Sequence, residues 1–207
     1  MYIPRRYEEK DKEKIHAFIR ENSFGILISV KDGSPAGTHI PLLLEKDEDG
    51  RDILMGHISR GNEQKYALTD GAKVLVVFTG PHAYISPRWY TEMNVPTWNY
   101  IAVHVYGTVT IVEGDELHAA LRRLMDHYEH PMPQPVKVEE IPEKSYNENF
   151  RGIVGFKIFI DEIQAAYKLS QNRDEKSYHH VIDELEKKDD AAKGVADEMR
   201  KKTTFNQ

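Results

Sequence analysis

Three short stretches gather side chains able to bind or react. Gly56-His-Ile-Ser-Arg-Gly-Asn-Glu-Gln64 leaves an apolar run and enters a hydroxyl, a guanidinium and two amides around a glycine. Arg60 offers a fork of N–H donors, Ser59 a hydroxyl, and Asn62 and Gln64 both donors and acceptors, so the segment suits a phosphate or the polar edge of a ring. A short helix from about Glu63 to Thr69 would add backbone N–H groups for an anion. The same residues also cap a helix without binding anything, and both readings stand at this level. Tyr84-Ile-Ser-Pro-Arg-Trp-Tyr90 and Val95-Pro-Thr-Trp-Asn-Tyr100 hold both tryptophans of the chain, pinned by Pro87 and Pro96. Rigid aromatics with polar tips stack on a planar ligand, seal a subunit interface, or plug the end of a barrel. Lys168-Leu-Ser-Gln-Asn-Arg173 is a third polar cluster, where a strand gives way to a helix.

The other chemistry-bearing residues are less directive. Of the 10 histidines, His127 and His130 lie three apart at a helix end, and His179 and His180 are adjacent, neither matching a zinc signature. His39, His57 and His104 fall on strands, either hydrogen-bonded at a sheet face or converging across a barrel. No nucleophile elbow, Walker loop or dinucleotide fingerprint is present, and no catalytic carboxylate pair or metal site can be picked out. With 0 cysteines, disulfides, thiolate metal sites and cysteine nucleophiles are excluded.

The elements that must position these stretches are mostly strands. Ile15, Phe18 and Ile19 mark an amphipathic helix from Glu8 to Glu21. Strands follow at Phe24–Val30, Pro35–Leu44, Asp52–Ser59 and Ala72–Phe78, then a bend at Gly80-Pro81 and a short strand Ala83–Ser86. Trp98–Val112 alternates with Ile101, Val103, Val105, Gly107, Val109 and Ile111 on one face. A helix from Asp115 to Glu129, a proline-rich extended connection from His130 to Pro142 and a strand from Ile153 toward Leu169 complete this part. Short turns between strands favour antiparallel pairing, and a small barrel flanked by helices closes such a sheet. The fold class expected is therefore mainly β with flanking helices, organised as a domain over 1–170 and a helical tail over 171–207. In the tail, Val181, Ile182 and Leu185 should dock a first helix. Beyond Lys187 the apolar residues are small apart from Val195, Met199 and a terminal Phe205, so a second helix is expected to be marginal and dispensable after Lys188.

The balance of 28 Lys plus Arg against 34 Asp plus Glu gives a net charge of −6. No helix-turn-helix is evident, so direct DNA binding is unsupported. The charged start MYIPRRYEEKDKEK lacks the apolar run of a signal peptide and no stretch reaches the length of a membrane span, which makes a cytoplasmic protein the expectation.

Tyr-Ile-Ser-Pro-Arg-Trp-Tyr, Val-Pro-Thr-Trp-Asn-Tyr, Lys-Leu-Ser-Gln-Asn-Arg and Gly-His-Ile-Ser-Arg-Gly-Asn, in this order and spacing, resemble the PaiB-type FMN-binding negative transcriptional regulators, from Met1 to about Leu185. The resemblance implies a split β-barrel of FMN-binding type, related to pyridoxamine-phosphate oxidase and flavin reductases. It further implies a homodimer with flavin at the interface, and repression of sporulation and extracellular protease production. On that basis His57, Ser59, Arg60, Asn62, Gln64, Trp98, Asn99, Tyr100, Lys168 and Gln171 are the expected cofactor-binding residues. The phosphate is placed near Ser59, Arg60 and Asn62, with Lys168 and Gln171 the next candidates, and the ring wall near Trp98–Tyr100. Any control of transcription would act through a protein partner. A flavin-dependent oxidoreductase is the enzymatic alternative; a haem-binding split barrel with His57 or His104 as axial ligand is a third reading.

Overall fold

A computed structural model describes residues 1–201. By backbone proximity the chain divides into two compact units: Met1–Asn22, Phe78–His104 and the residues from Gln164 on form the first, Ser23–Val77 and Val105–Ile163 the second. Eight strands belong to one sheet, in the order β3-β2-β6-β7-β8-β5-β4, with β1 paired to β8. These are β1 (Glu8–Glu9), β2 (Phe24–Lys31), β3 (Ser34–Pro41), β4 (Leu43–Lys46), β5 (Asp52–Ser59), β6 (Lys73–Ile85), β7 (Thr97–Val112) and β8 (Ile153–Lys168). The helices are α1 (Lys12–Glu21), α2 (Gly114–Glu129), α3 (Glu143–Arg151), α4 (Glu175–Leu185) and α5 (Asp190–Lys201). The protein is thus mainly antiparallel β with flanking helices, as its strand-rich sequence requires. No helix among the described residues is long and apolar enough to cross a membrane.

In the first unit, α1 starts later than the hydrophobic spacing suggests. The Asp11 carboxylate accepts the Glu13 and Lys14 amides as an N-cap, and Glu8–Glu9 pair instead with Ala165–Ala166 of β8. Ile15, Phe18 and Ile19 form its buried stripe, with Phe18 meeting Tyr167 edge-on at 5.8 Å. The break into two strands expected at Gly80-Pro81 does not occur; β6 continues through it as one strand. The dipeptide is a docking point instead. A Cβ at Gly80 would lie 2.7 Å from the Phe18 ring, and one at Gly194 of α5 would lie 3.0 Å from Pro81.

The second helix of the tail also departs from expectation. Ala192, Val195, Ala196 and Met199 of α5 are all buried, and the Tyr178 hydroxyl donates to the Met199 carbonyl at 2.7 Å. Small side chains, which contribute little hydrophobic area, are what let α5 approach closely enough to bury its larger ones. Val181, Ile182 and Leu185 of α4 are buried as the sequence indicates. Phe205 lies outside the described residues.

In the second unit, the run Pro35–Leu44 divides into two strands. Leu42 is fully buried and its amide goes to the Ser23 carbonyl at 2.9 Å, so the chain leaves β2 and β4 pairs with β5. The long alternation of β7 is present, and Val105, Val109 and Val112 are buried here. Leu117 and Ala120 of α2 pack on Ile53, Met55 and Val112. After the extended connection, which includes a single 3₁₀ turn at Val138–Glu140, α3 forms without a strong sequence signal, having only Tyr146 and Phe150 on one face.

Candidate functional site

The structure gathers the expected residues into two groups, one in each unit. In the second unit, β5 delivers His57 and Ser59, and a 3₁₀ turn (Glu63–Tyr66) carries Gln64. Most polar atoms of this group already have partners. Asn62 Oδ1 accepts the Gln64 amide as the cap of the turn, and its Nδ2 donates to Thr38 Oγ1 at 2.8 Å. Gln64 is 4% exposed, and its Nε2 donates to the Leu27 and Ala36 carbonyls and to Ser29 Oγ. Ser59 Oγ accepts the Gly61 amide. Arg60 donates through Nε to the Arg151 carbonyl at 3.0 Å and through Nη2 to that of Ile153 at 2.9 Å. The loop is chiefly a capped turn stitched to β2 and β3, with Ser59, Arg60, Gly61 and Glu63 exposed.

His57 faces aliphatic neighbours rather than the loop, bordering a small enclosed gap with Leu43, Leu117, Ala120, Leu121 and Leu124. Burial alone pushes its pKa below the ordinary histidine value, which favours the neutral imidazole.

In the first unit, β7 delivers Asn99 and Tyr100, and the end of β8 delivers Lys168. These three border a groove of about 350 Å³ together with Tyr2, Tyr7, Thr97, Ser170 and Arg173. Asn99 is fully buried: its Nδ2 donates to Ser170 Oγ at 2.9 Å, while Ser170 Oγ donates back to Asn99 Oδ1 at 3.1 Å. This reciprocal pair holds Ser170 at φ 58°, the left-handed region that costs a non-glycine residue about 1–3 kcal/mol. That turn swings the chain so that Lys168 and Arg173 border one groove.

Neither cation has a carboxylate within ion-pair distance among the described residues. Lys168 Nζ donates to Thr97 Oγ1 and lies 6.0 Å from the centre of the Tyr7 ring. The Arg173 guanidinium rests 4.0 Å over the ring of Tyr90. Desolvation first, then repulsion from Arg173, moves the Lys168 pKa below the ordinary lysine value. Two positive groups bordering one groove, beside tyrosine rings and amides, have the chemistry to meet an anion attached to a planar body.

Gln171 does not border this groove. Its Oε1 accepts the Leu169 amide and its Nε2 donates to the Tyr167 and Arg6 carbonyls, so it braces the turn. Trp98 lies elsewhere on the surface, 53% exposed, 6.1 Å from Tyr84 edge-on and 6.2 Å from His82. His104 is half-buried, and burial with the N-terminal ammonium lowers its pKa. Sequence reasoning did not name Tyr2, Tyr7, Thr97, Ser170 or Arg173 as binding residues. Ser170 and Arg173 sit inside a stretch already singled out, whereas nothing in the sequence ties Tyr2 and Tyr7 to it.

Residues 1–162 match the family described as "Putative FMN-binding domain". The chain is 43% identical over 203 residues to "Protease synthase and sporulation protein PAI 2" of Bacillus subtilis, covering 98% of each. Among solved structures it is similar to a flavocytochrome, Anf3, from Azotobacter vinelandii, with a TM-score of 0.59 and 15% identity over 86% of this chain and 78% of that one. It is also similar to an FAD and heme binding protein from Mycobacterium smegmatis, with a TM-score of 0.58 and 16% identity over 78% of this chain and 73% of that one. At such identities the structures show the fold alone, a split β-barrel.

Proposed function

From the premise that this chain belongs to the FMN-binding-domain family, we propose that it is a cytoplasmic, homodimeric FMN-binding regulator whose flavin occupies the groove of the first unit. The observation that carries the reading is the pair of cations, Lys168 and Arg173, bordering one groove without a carboxylate partner. The donor set fits FMN. Lys168 and Arg173 would hold the phosphate, Asn99 and Ser170 keep the two cations in place, and Tyr7 and Tyr100 offer flanking surface for the ribityl chain and ring. Bound FMN supplies reversible one- and two-electron chemistry.

The role is read from the relative in Bacillus subtilis, whose name is "Protease synthase and sporulation protein PAI 2". Repression of those processes through a protein partner, with no direct hold on DNA, agrees with a chain of net charge −6. The exposed Trp98–Tyr84–His82 cluster, with Met93 and Val95 exposed in the same unit, supports a dimer contact of aromatic character.

Titration of the purified protein with FMN and with riboflavin, followed by flavin absorbance and fluorescence, tests the reading. FMN should bind at least tenfold more tightly than riboflavin, because only FMN carries the phosphate. Equal affinities would overturn the assignment of the cations. Sustained NAD(P)H oxidation by the FMN-loaded protein would favour the oxidoreductase alternative, and a mobility shift of DNA at physiological salt would replace indirect control by direct control.

A further inference from the structure

In the groove of the first unit, one of the two cations is presented on an aromatic platform. The Arg173 guanidinium lies over the Tyr90 ring, 4.0 Å from its centre. Tyr90 is 8% exposed and does not itself border the groove, so it can act on a ligand there only through Arg173. A guanidinium resting on an aromatic face is held by the negative face of the ring without using any of its N–H donors, which stay available to an anion. A long side chain is thereby confined before a ligand arrives, and less freedom is lost on binding.

The platform is fastened to α4. Tyr90 follows a 3₁₀ turn (Pro87–Trp89), and His180 Nδ1 lies 3.0 Å from the Trp89 carbonyl. On the other side, the Thr91 amide donates to Ser177 Oγ at 2.9 Å and Thr91 Oγ1 donates to Asp174 Oδ2 at 3.1 Å. Asp174 also accepts the Ser177 amide and hydroxyl as the N-cap of α4. One clasp thus joins the residue after Tyr90 to the residue after Arg173, and it occupies the carboxylate nearest to Arg173 in the chain. The Tyr90 hydroxyl has no hydrogen-bond partner among the described residues. The ring face, not the hydroxyl, is what Tyr90 contributes.

We infer that Tyr90 is a positioning residue: its ring, held on α4 by Thr91, sets the Arg173 guanidinium at the groove and so determines how strongly a flavin with a phosphate is preferred to one without. The inference rests on the reading that FMN lies in this groove with its phosphate on Lys168 and Arg173.

Titration of the full-length parent, Tyr90→Phe, Tyr90→Leu and Arg173→Lys with FMN and with riboflavin, beside a melting curve of each, tests it. Tyr90→Phe keeps the ring and should bind FMN within about twofold of the parent. Its melting temperature should be no lower, because the substitution removes a buried hydroxyl that has no partner. Tyr90→Leu removes the platform and should weaken FMN about fivefold while riboflavin changes less than about twofold. Arg173→Lys keeps the charge, loses the planar fork, and should weaken FMN at least as much. Adding Tyr90→Leu to Arg173→Lys should then cost little more, because both break the same contact. Arg173 is only half-buried, so Arg173→Lys carries the test if Tyr90→Leu does not fold. An FMN preference unchanged in Tyr90→Leu or in Arg173→Lys would overturn this inference alone. An equal fall of both flavins in Tyr90→Leu would make Tyr90 a purely structural residue and overturn it as well. A parent that binds FMN and riboflavin equally would overturn the reading of the groove, and this inference with it.

Discussion

The Ser59–Gln64 loop and the Lys168–Arg173 turn are built from similar residues, a hydroxyl, amides and cations at the end of a strand, yet they direct them differently. In the loop, Asn62 and Gln64 make their hydrogen bonds inward, to Thr38, Leu27, Ser29 and Ala36. In the turn, Asn99, Ser170 and Gln171 satisfy one another and the local backbone, and that arrangement sets two cations beside a groove. A polar side chain is available to a ligand only if its own fold leaves it unused. Composition reveals the inventory; the hydrogen-bond accounting reveals the vacancy.

The largest effect that would separate the regions comes from α5, whose Met199 sulfur accepts from Asn99 Nδ2 at 3.5 Å. Truncation after Lys188 removes the buried Val195 and Met199, each contributing about 1.5–3 kcal/mol. The melting temperature should fall by more than about 8 °C in calorimetry, and FMN binding should be lost. A truncated protein that melts like the parent would return α5 to the status of a dispensable tail.

Gln64→Leu comes next. It leaves the Leu27 and Ala36 carbonyls without their buried donor and should cost about 2–3 kcal/mol in urea unfolding. The folded fraction should still bind FMN within about twofold of the parent, since the comparison assigns Gln64 to the scaffold. A selective loss of flavin without a loss of stability would reverse that assignment.

The sharpest contrast is between Lys168→Ala and Arg60→Ala. The first should weaken FMN about tenfold, or about 1.4 kcal/mol, and riboflavin far less; the second should leave both nearly unchanged. The opposite pattern would move the phosphate to the Ser59–Gln64 loop.

Two pH effects are smaller. Because Lys168 loses its proton below the ordinary value of 10.5, FMN affinity should decline as pH rises through that lowered pKa, and riboflavin affinity should not follow. His57 has a lowered folded-state pKa, so the unfolded chain binds more protons between that pKa and 6.5. Its contribution to stability is present above pH 6.5 and is lost as pH falls through the folded value. His57→Leu should flatten that part of the stability profile in chemical denaturation at pH 5–7.

Period-two alternation identified β7, and the apolar runs identified β2 and β5, because burial on a sheet face repeats locally. Gly80-Pro81 does not divide the strand as its residue types suggest, and its packing role comes from Phe18 and from Gly194, residues far away in the chain. The candidate site divides similarly. Lys168, Asn99 and Tyr100 could be singled out by type, whereas Tyr2 and Tyr7 enter the groove only through the course of the N-terminal segment.

By itself, then, the sequence determined the strand-rich class, the absence of thiol chemistry, and the short segments where polar and aromatic groups concentrate, since these follow from composition and from local periodicity. Only the tertiary structure decided that α5 is packed, that His57 lies among aliphatic side chains with its pKa lowered by burial, and that Lys168 rather than Gln64 is left facing a groove. Burial and hydrogen-bond satisfaction are properties of groups brought together from distant parts of the chain, and no local pattern encodes which partner will arrive.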